Sequence, residues 1–212
     1  MKSTLLLTVS LLLTIGAYAQ SLQPIKLKEP NKNRGTSVMK ALSDRHSERV
    51  FAEKDLSIQD LSDLLWAANG INRSDGRRTA PTARNNQDID VYVIMKEGAY
   101  LYDAKSLELK PIAVGDYRPL IADRQEDIKK APVCLLMVSD LSRFTGLDAE
   151  TQKQWGAFDA GIVSQNIAIF CSGCGFATVP RAYMQKDELK KVLKLSDTQV
   201  PMLNNPVGYP KQ

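Results

Sequence analysis

Residues 45–49 read Arg-His-Ser-Glu-Arg and place two guanidinium groups, an imidazole and a hydroxyl in one short segment. Guanidinium and hydroxyl donors are the groups with which proteins surround a phosphate monoester. The alternative is an ordinary charged helix end, which short basic runs usually form. Alone, the segment is a weak indication of a phosphate site.

A second polar run, residues 78–87, reads Arg-Thr-Ala-Pro-Thr-Ala-Arg-Asn-Asn-Gln. Thr82, Asn85 and Gln87 supply the hydroxyl and amide groups that a flavin needs around its pyrimidine edge and ribityl chain. A plain polar turn is the alternative. The two runs strengthen each other, because together they predict a site for a flavin phosphate.

The chain has one histidine, His46, and three cysteines. A multi-histidine metal site is excluded, and we expect no metal. Cys171 and Cys174 have the spacing of a dithiol, but they close an apolar helix instead of opening one, where the helix dipole would lower a thiol pKa. Buried thiols are favoured, and a local disulfide or a dithiol oxidoreductase stays open.

The first residues predict export. Lys2, the apolar residues 5–15 and the small residues Ala17 and Ala19 are typical of a secretory signal peptide at 1–19, which implies a periplasmic or other extracytoplasmic protein. The apolar run is short for a bilayer span, so we expect no stable membrane span after cleavage. A retained anchor is the alternative.

Composition indicates one ordinary globular domain, with 43% apolar and 25% charged residues. The net charge of +4 is small and its acids and bases are interleaved, which argues against nucleic-acid binding. We place the domain at 37–212. The Pro-, Lys- and Asn-rich residues 20–36 are predicted to be an extended arm, which could wrap a partner subunit.

The elements that position these residues follow from hydrophobic spacing and indicate an α+β fold. We expect helices from Ser37, from Ser57 to Gly70, and at 186–195, and a buried helix at 158–174, which is apolar all round. Residues 71–90 form a long loop. The predicted strands are a meander at 91–95, 100–102 and 107–111, a central strand at 133–139, and a proline-interrupted edge or exchanged strand at 200–207.

Four motifs in order carry a family resemblance from about residue 37 to residue 211. They are Arg-His-Ser-x-Arg after the first helix, Ala-Pro-Thr-x-x-Asn-x-Gln before the first strand, Gly-Phe-Ala-Thr-Val-Pro at 175–180, and Pro-Val-Gly-Tyr-Pro at 206–210. In this pattern the chain resembles the nitroreductase-like flavoproteins. The resemblance implies a mixed, mainly antiparallel sheet flanked by helices, in an interlocked homodimer that holds FMN at the subunit interface.

The resemblance also assigns residues to FMN. From one subunit these are Arg45, His46, Ser47 and Arg49, and from the other Pro81, Thr82, Ala83 and Asn85, with Gln87 beside them. The backbone around Val179, Pro180 and Arg181 would approach the flavin ring, Lys211 would reach the phosphate, and Gln125 would add a polar contact. Arg84 departs from the family's small residue, and it would either narrow the substrate face or stabilise an anionic reduced ring.

The implied activity is a two-step electron transfer through FMN, in which a small donor and a small acceptor react in turn. No side chain is expected to act as nucleophile or general base. Export would separate the protein from NAD(P)H, and the short chain is similar to the SagB-type branch, which is related to peptide-azoline dehydrogenases. The alternatives are therefore an FMN-dependent dehydrogenase or oxidase that does not use NAD(P)H, and a non-catalytic flavin-binding protein.

Overall fold

The computed structural model describes residues 21–211, so the expected signal peptide lies outside the described residues. Seven strands form one antiparallel sheet in the order β1-β4-β3-β2-β5-β7-β6. The strands are β1 (Ile25–Lys26), β2 (Ile89–Ile94), β3 (Gly98–Asp103), β4 (Glu108–Val114), β5 (Val133–Asp140), β6 (Ala177–Thr178) and β7 (Gln199–Gly208). The helices are α1 (Val38–Asp44), α2 (Ile58–Asn69), α3 (Arg118–Ala122), α4 (Ala149–Cys174) and α5 (Lys186–Leu193). The α+β fold with a mainly antiparallel sheet is confirmed.

The first two helices begin where their serines predict. The hydroxyl of Ser37 accepts a hydrogen bond from the Lys40 backbone N–H, and the hydroxyl of Ser57 accepts one from the backbone N–H of Asp60. Both bonds satisfy a donor that the first helical turn leaves free. Helix α2 then ends before Gly70, as its pattern predicts.

The predicted meander and central strand are confirmed. Strands β2, β3 and β4 are antiparallel neighbours, and β5 lies between β2 and β7 with residues 133–139 buried. Alternate side chains of β5 enter different cores, because a strand points successive residues to opposite faces. Leu135 and Met137 join the core under α2 and α4, whereas Leu136 and Val138 join the core under α3 and α5.

Helix α4 is longer than the apolar run that predicts it. It has 26 residues and begins after Asp148, whose carboxylate accepts hydrogen bonds from the backbone N–H groups of Glu150 and Thr151. It ends at Gly175, whose φ of 77° suits glycine. The prediction that this helix is buried all round is wrong for the single chain. Only one face packs on the sheet, and Phe158 is 60% exposed.

The prediction that the final strand lies at an edge is also wrong. Strand β7 pairs with β5 along its length and with the short β6 on its other side. The prolines are tolerated because β6 covers only Val207 and Gly208, and because the register shifts between Met137 and Val138, opposite Pro201. The last strand is thus an interior member of the sheet.

The arm that precedes α1 lies on its own chain. The Lys28 N–H donates to Ser62 Oγ, and the Arg34 guanidinium binds Asp60 at 2.8 Å and Asp63 at 2.7 Å, so the arm is held against α2. The five-residue α3, with Pro119 in its first turn, is too short to show periodicity and was not predicted. Among residues 21–211, no helix is long and apolar enough to cross a membrane.

Candidate functional site

Residues 45–49, here called the Arg45 segment, leave α1 and run beside β6. The backbone N–H of Glu48 donates to Thr178 O at 2.9 Å. Upstream, the Ser172 hydroxyl donates to Ala41 O at 2.7 Å and joins α1 to the last turns of α4. The segment is therefore fixed at the C-terminal end of α4, with its side chains directed outward.

The charges of the Arg45 segment are largely unused within the chain. Arg45 and Arg49 are exposed and form no ion pair with any residue in the range 21–211. The Glu48 carboxylate accepts from the N–H groups of Arg49 and Val50, and these bonds lower its pKa. Two cations and the Ser47 hydroxyl remain for an external anion, and this donor set fits a phosphate.

Two further predicted residues lie on this side of the molecule, Lys211 next to the segment and Gln125 in contact with Arg181. The Lys211 backbone N–H lies 3.5 Å from Val50 O, next to Arg49. Gln125 is exposed, and its Oε1 accepts a hydrogen bond from Arg181 Nε at 3.1 Å. The structure thus brings the Arg45 segment, Gln125, Lys211 and residues 179–181 to one side of the molecule.

Arg181 supports this side from within. It is 7% exposed, and its guanidinium also donates to Ile121 O, Ala122 O and Asn204 Oδ1. Burial lowers the pKa of the Arg181 guanidinium, and the charge of Arg49 acts in the same direction. Its backbone N–H and carbonyl pair with those of Asn204, so of residues 179–181 only Val179 and Pro180 keep backbone groups for a ligand.

An open cleft of about 160 Å³ lies beside the Arg45 segment. Its floor is apolar, with Ala168, Phe176 and Ala177, and His46 and Glu48 lie at its rim. Pockets that enclose small organic ligands have volumes of roughly 300–1,000 Å³. One chain therefore supplies only part of a site for a group as large as FMN.

Residues 81–87, here called the Pro81 loop, are held to the middle of α4. The Ala83 N–H donates to both carboxylate oxygens of Asp159, at 3.2 and 3.0 Å. Within the loop, Thr82 Oγ1 accepts from the Gln87 N–H at 2.8 Å, and the Gln87 side chain accepts from Arg78 Nε at 3.0 Å. Thr82 and Gln87 thus shape the loop, and Pro81 and Asn85 are exposed.

The backbone of the Pro81 loop is strained. Arg84, Asn85 and Gln87 have φ values of 53°, 56° and 49°, in the left-handed region that residues other than glycine rarely adopt. Such residues cost up to about 1–3 kcal/mol, with asparagine at or below the lower end, and they cluster at binding sites. The Arg84 guanidinium lies over the Trp155 ring, 5.1 Å from its centroid, which gives the loop a second attachment to α4.

Within one chain, the two predicted parts of the site do not meet. The Pro81 loop is attached at Asp159, and the Arg45 segment lies near Ser172, thirteen residues further along the same helix. At 1.5 Å per residue this separation is roughly 20 Å along the helix axis. The structure therefore brings together the Arg45 segment, Gln125, Lys211 and residues 179–181. It keeps the Pro81 loop of the same chain away from them.

Sequence reasoning missed the residues that hold the Pro81 loop from below, which are Asp159, Asp88 and Ser139. The loop and Asp159 are 76 residues apart in the chain, so no local pattern joins them. One signal was available, because Asp159 is the only charged residue between positions 158 and 174. A charge in an otherwise apolar helix usually has a specific partner.

The cysteines are free thiols. Burial raises the pKa of Cys134 to about 12, and it raises the pKa values of Cys171 and Cys174 as well. Thiols of this kind are poor nucleophiles, which favours the buried-thiol interpretation over a dithiol enzyme. No group of three or more His, Cys, Asp or Glu residues in the described part of the chain could hold a metal ion.

Comparisons with known proteins agree with this architecture. A profile of the nitroreductase family matches residues 42–209, and the chain belongs to this family. It is 27% identical over 176 residues to a candidate nitroreductase of Methanocaldococcus jannaschii, with 79% of this chain and 88% of the relative covered. The chain is therefore an oxidoreductase of the nitroreductase family.

Solved structures show the same fold. The crystal structure of a candidate nitroreductase of Ralstonia eutropha superposes with a TM-score of 0.85 at 31% identity, covering 91% of this chain and 92% of that one. A nitroreductase family protein of Clostridium difficile has a TM-score of 0.59 at 20% identity, with 84% and 86% covered. At that lower identity the likeness concerns the fold alone.

Proposed function

We propose that this protein is an FMN-dependent oxidoreductase that works as a homodimer, with each FMN bound between the Arg45 segment of one subunit and the Pro81 loop of the other. The observation that carries the proposal is the separation of these two polar sets within one chain. Each set has the donors that FMN requires, and neither alone encloses a ligand of that size. A second copy would supply the missing wall of each cleft.

The chain's own residues have distinct tasks in this proposal. Arg45, Ser47 and Arg49 bind the phosphate through charge-assisted hydrogen bonds, and Lys211 adds a positive charge. The strained Pro81 loop offers the Asn85 amide and its backbone to the ring and ribityl chain. FMN, when bound, supplies the two-electron chemistry. The protein orients the reactants and excludes water. No side-chain nucleophile is required, because the chemistry is that of the flavin.

Exposed apolar residues support self-association. Val38 and Met39 on α1 are 67% and 76% exposed, and Phe158 on α4 is 60% exposed. These side chains lie on two helices that contact each other, and contiguous exposed apolar surface marks interaction sites. A homodimer with two-fold symmetry would bury both helices and bring the half-sites together.

A complementation experiment tests the shared site directly. One variant carries Arg45→Ala and Arg49→Ala, and the other carries Asn85→Ala, so that each pure homodimer binds FMN weakly. After the two are mixed and allowed to exchange subunits, about a quarter of all sites combine two intact halves, and FMN binding returns to about that level. A site built within one chain predicts no recovery in the mixture.

The absorption spectrum of the purified protein tests the cofactor itself. Bound FMN gives the protein a flavin spectrum that survives gel filtration, and anaerobic titration with small donors bleaches it. A colourless protein that does not take up added FMN would overturn the proposal. A flavin spectrum that no donor bleaches would instead indicate a flavin-binding protein without catalysis.

We further propose that the protein is exported and that its donor is not NAD(P)H. The signal-like residues 1–19 support export, and the cation of Arg84 within the Pro81 loop would narrow the substrate face or stabilise an anionic reduced flavin ring. This direction matches the resemblance to the SagB-type branch, whose members oxidise a substrate through FMN. Rapid reduction of the bound FMN by NADH, at rates typical of nitroreductases, would contradict it. In that case the protein is a reductase of the usual nitroreductase kind.

A further inference from the structure

Two buried carboxyl groups meet beneath the Pro81 loop. Asp88 is 0% exposed and Asp159 is 3% exposed. They adjoin because Ser139, the hydrogen-bond partner of Asp88, packs against Gly156, which lies one turn before Asp159 on α4, and the Asp159 carboxyl contributes to the raised pKa of Asp88. Asp88 Oδ2 accepts a hydrogen bond from Ser139 Oγ at 2.6 Å. Asp159 accepts from the Ala83 N–H of the loop. The pair thus links the sheet, α4 and the loop.

No cation neutralises this pair. Among residues 21–211, neither Asp88 nor Asp159 forms an ion pair, and Asp88 Oδ1 has no hydrogen-bond partner. The nearby arginines are engaged elsewhere. Arg143 binds Asp90, Asp140 and Gln87 O, Arg78 binds Gln87 and Asn69 O, and Arg84 lies over Trp155.

Two adjoining carboxylates without a counter-ion are costly to bury, and one proton removes the cost. A proton on Asp88 Oδ1 gives that otherwise unpartnered oxygen a hydrogen to donate to Asp159. Asp159 suits the ionised role, because both of its oxygens already accept from the Ala83 N–H. Burial and the adjoining Asp159 carboxyl raise the pKa of Asp88 to about 7.

A glycine on α4 allows the close approach that this carboxyl pair requires. Gly156 lies opposite Ser139, and a Cβ at Gly156 would come within 2.9 Å of Ser139 Cβ. A larger residue would push α4 away from β5 and separate Asp159 from Asp88. The carboxyl pair is therefore a consequence of close helix-to-sheet approach at a glycine.

We propose that Asp88 and Asp159 share one proton and together position the Pro81 loop, so that loss of this proton loosens the loop and weakens flavin binding. When both groups are ionised they repel each other. Asp159 carries the loop through the Ala83 N–H, so its displacement moves the loop. The flavin part of this inference rests on the proposed function, and the shared proton does not.

The test compares the wild type with Asp88→Asn between pH 6 and 8.5, using FMN as the ligand. The side-chain amide that this substitution introduces donates to Asp159 at every pH and accepts from Ser139, which replaces the shared proton permanently. Glu150→Gln, an exposed acid at the start of the same helix, is the matched control. For each protein we measure infrared absorption, amide exchange of loop peptides and the FMN dissociation constant.

For the wild type we expect the infrared band of a protonated carboxyl group at pH 6 and its loss by pH 8.5. The doubly ionised form rises about tenfold over this range, so exchange in the loop, corrected for its intrinsic rate, accelerates by about as much. The FMN dissociation constant rises severalfold in parallel. Glu150→Gln behaves as the wild type. Asp88→Asn shows neither the band nor the faster exchange, and its FMN dissociation constant changes only as far as the titration of the FMN phosphate itself, near pH 6, requires.

Three outcomes would overturn the proposal. The band would be missing from the wild type, or loop exchange would be independent of pH although the band is present, or Asp88→Asn would keep the pH dependence of the wild type. If the protein binds no FMN at any pH, the proposed function fails. The infrared and exchange measurements on the flavin-free protein then still decide whether the pair shares a proton and holds the loop.

Discussion

The Arg45 segment and the Pro81 loop are two parts of one proposed site, yet they are constructed differently. The Arg45 segment presents exposed cations with no ion-pair partner among residues 21–211 apart from the weak contact of His46 with Glu48 at 3.8 Å. The Pro81 loop is held by hydrogen bonds to Asp159 and Arg78 and contains three residues with positive φ. In the proposed site, the first region would bind by charge, and the second by a preformed backbone shape.

This difference has a physical reason. A phosphate is a strong, symmetrical acceptor that flexible cations can surround, so little preorganisation is needed. The edge of a flavin ring presents donors and acceptors in fixed directions, which only a rigid partner matches well. In the proposed site, the strain in the Pro81 loop would therefore lie where the direction of the hydrogen bonds matters most.

The largest expected difference is in how much two supporting arginines, Arg181 and Arg143, contribute to the free energy of unfolding. Arg181→Met leaves the buried carbonyls of Ile121 and Ala122 without a donor, and we expect a loss of about 3–5 kcal/mol in the free energy of unfolding. Arg143→Met removes a comparable set of bonds near the Pro81 loop, but its side chain is 36% exposed, so we expect about half that loss. Urea unfolding of both variants measures the difference. Equal losses would show that burial does not distinguish them.

The pH dependence of stability should single out the Pro81 loop. The folded pKa of Asp88, about 7, lies above its ordinary value of 3.8, so the folded state holds one more proton between these values. The contribution of Asp88 to the free energy of unfolding is therefore largest below about pH 4. It falls by roughly 1.4 kcal/mol per pH unit towards pH 7 and does not change further above that pH. Urea unfolding of the wild type and Asp88→Asn across pH 4–8 measures the contribution as a difference. If the free energies of unfolding of the two proteins changed in parallel with pH, the raised pKa of Asp88 would be contradicted.

Loss of one cation from the Arg45 segment should affect binding and leave folding unchanged. Arg45→Ala removes a charge-assisted bond to the phosphate, and we expect FMN binding to weaken by about 1–3 kcal/mol. The unfolding free energy should change by less than about 0.5 kcal/mol, because the side chain is exposed. Lys186→Ala, an exposed cation on α5, is the control and should alter neither quantity. Unchanged FMN content in Arg45→Ala would remove this residue from the site.

The smallest effect concerns strain in the Pro81 loop. Asn85→Gly relieves a φ of 56° and should stabilise the fold by a few tenths to about 1 kcal/mol, while FMN binding weakens because the amide is lost. Lys194→Gly, with a φ of 55° at the end of α5, should give the same stabilisation without an effect on FMN. Thermal unfolding and FMN titration separate the two. A destabilised Asn85→Gly protein would show that the side chain, and not the backbone, holds the loop.

Much of the fold was predictable because its signals are local. The serines that begin α1 and α2, the meander, and the apolar strand β5 each follow from a few neighbouring residues. The start of α4 was missed because its first turns are polar and lie before the apolar run. The prediction that β7 lies at an edge was wrong for a related reason. A proline indicates only that its backbone nitrogen makes no hydrogen bond, and an interior strand has such positions where its neighbour is short, as β6 is.

The candidate site was predictable only in part. The motifs and their family resemblance predicted the two segments, because both are runs of hydrophilic residues in the sequence. The supports of those segments, Arg181 and the Asp88–Asp159 pair, are contacts between residues distant in the chain. No periodicity reveals such contacts, since they arise from tertiary packing.

The pairing of β5 with β7 also constrains how the chain is made and folded. Among residues 21–211 β7 is the last strand in sequence, so the hydrogen-bond ladder on one side of β5 cannot form until all of the preceding strands and β7 itself have been synthesised. Folding then depends on contacts with large sequence separation, which are slow to form. Truncation before residue 199 should therefore yield an aggregation-prone chain, not a smaller working domain.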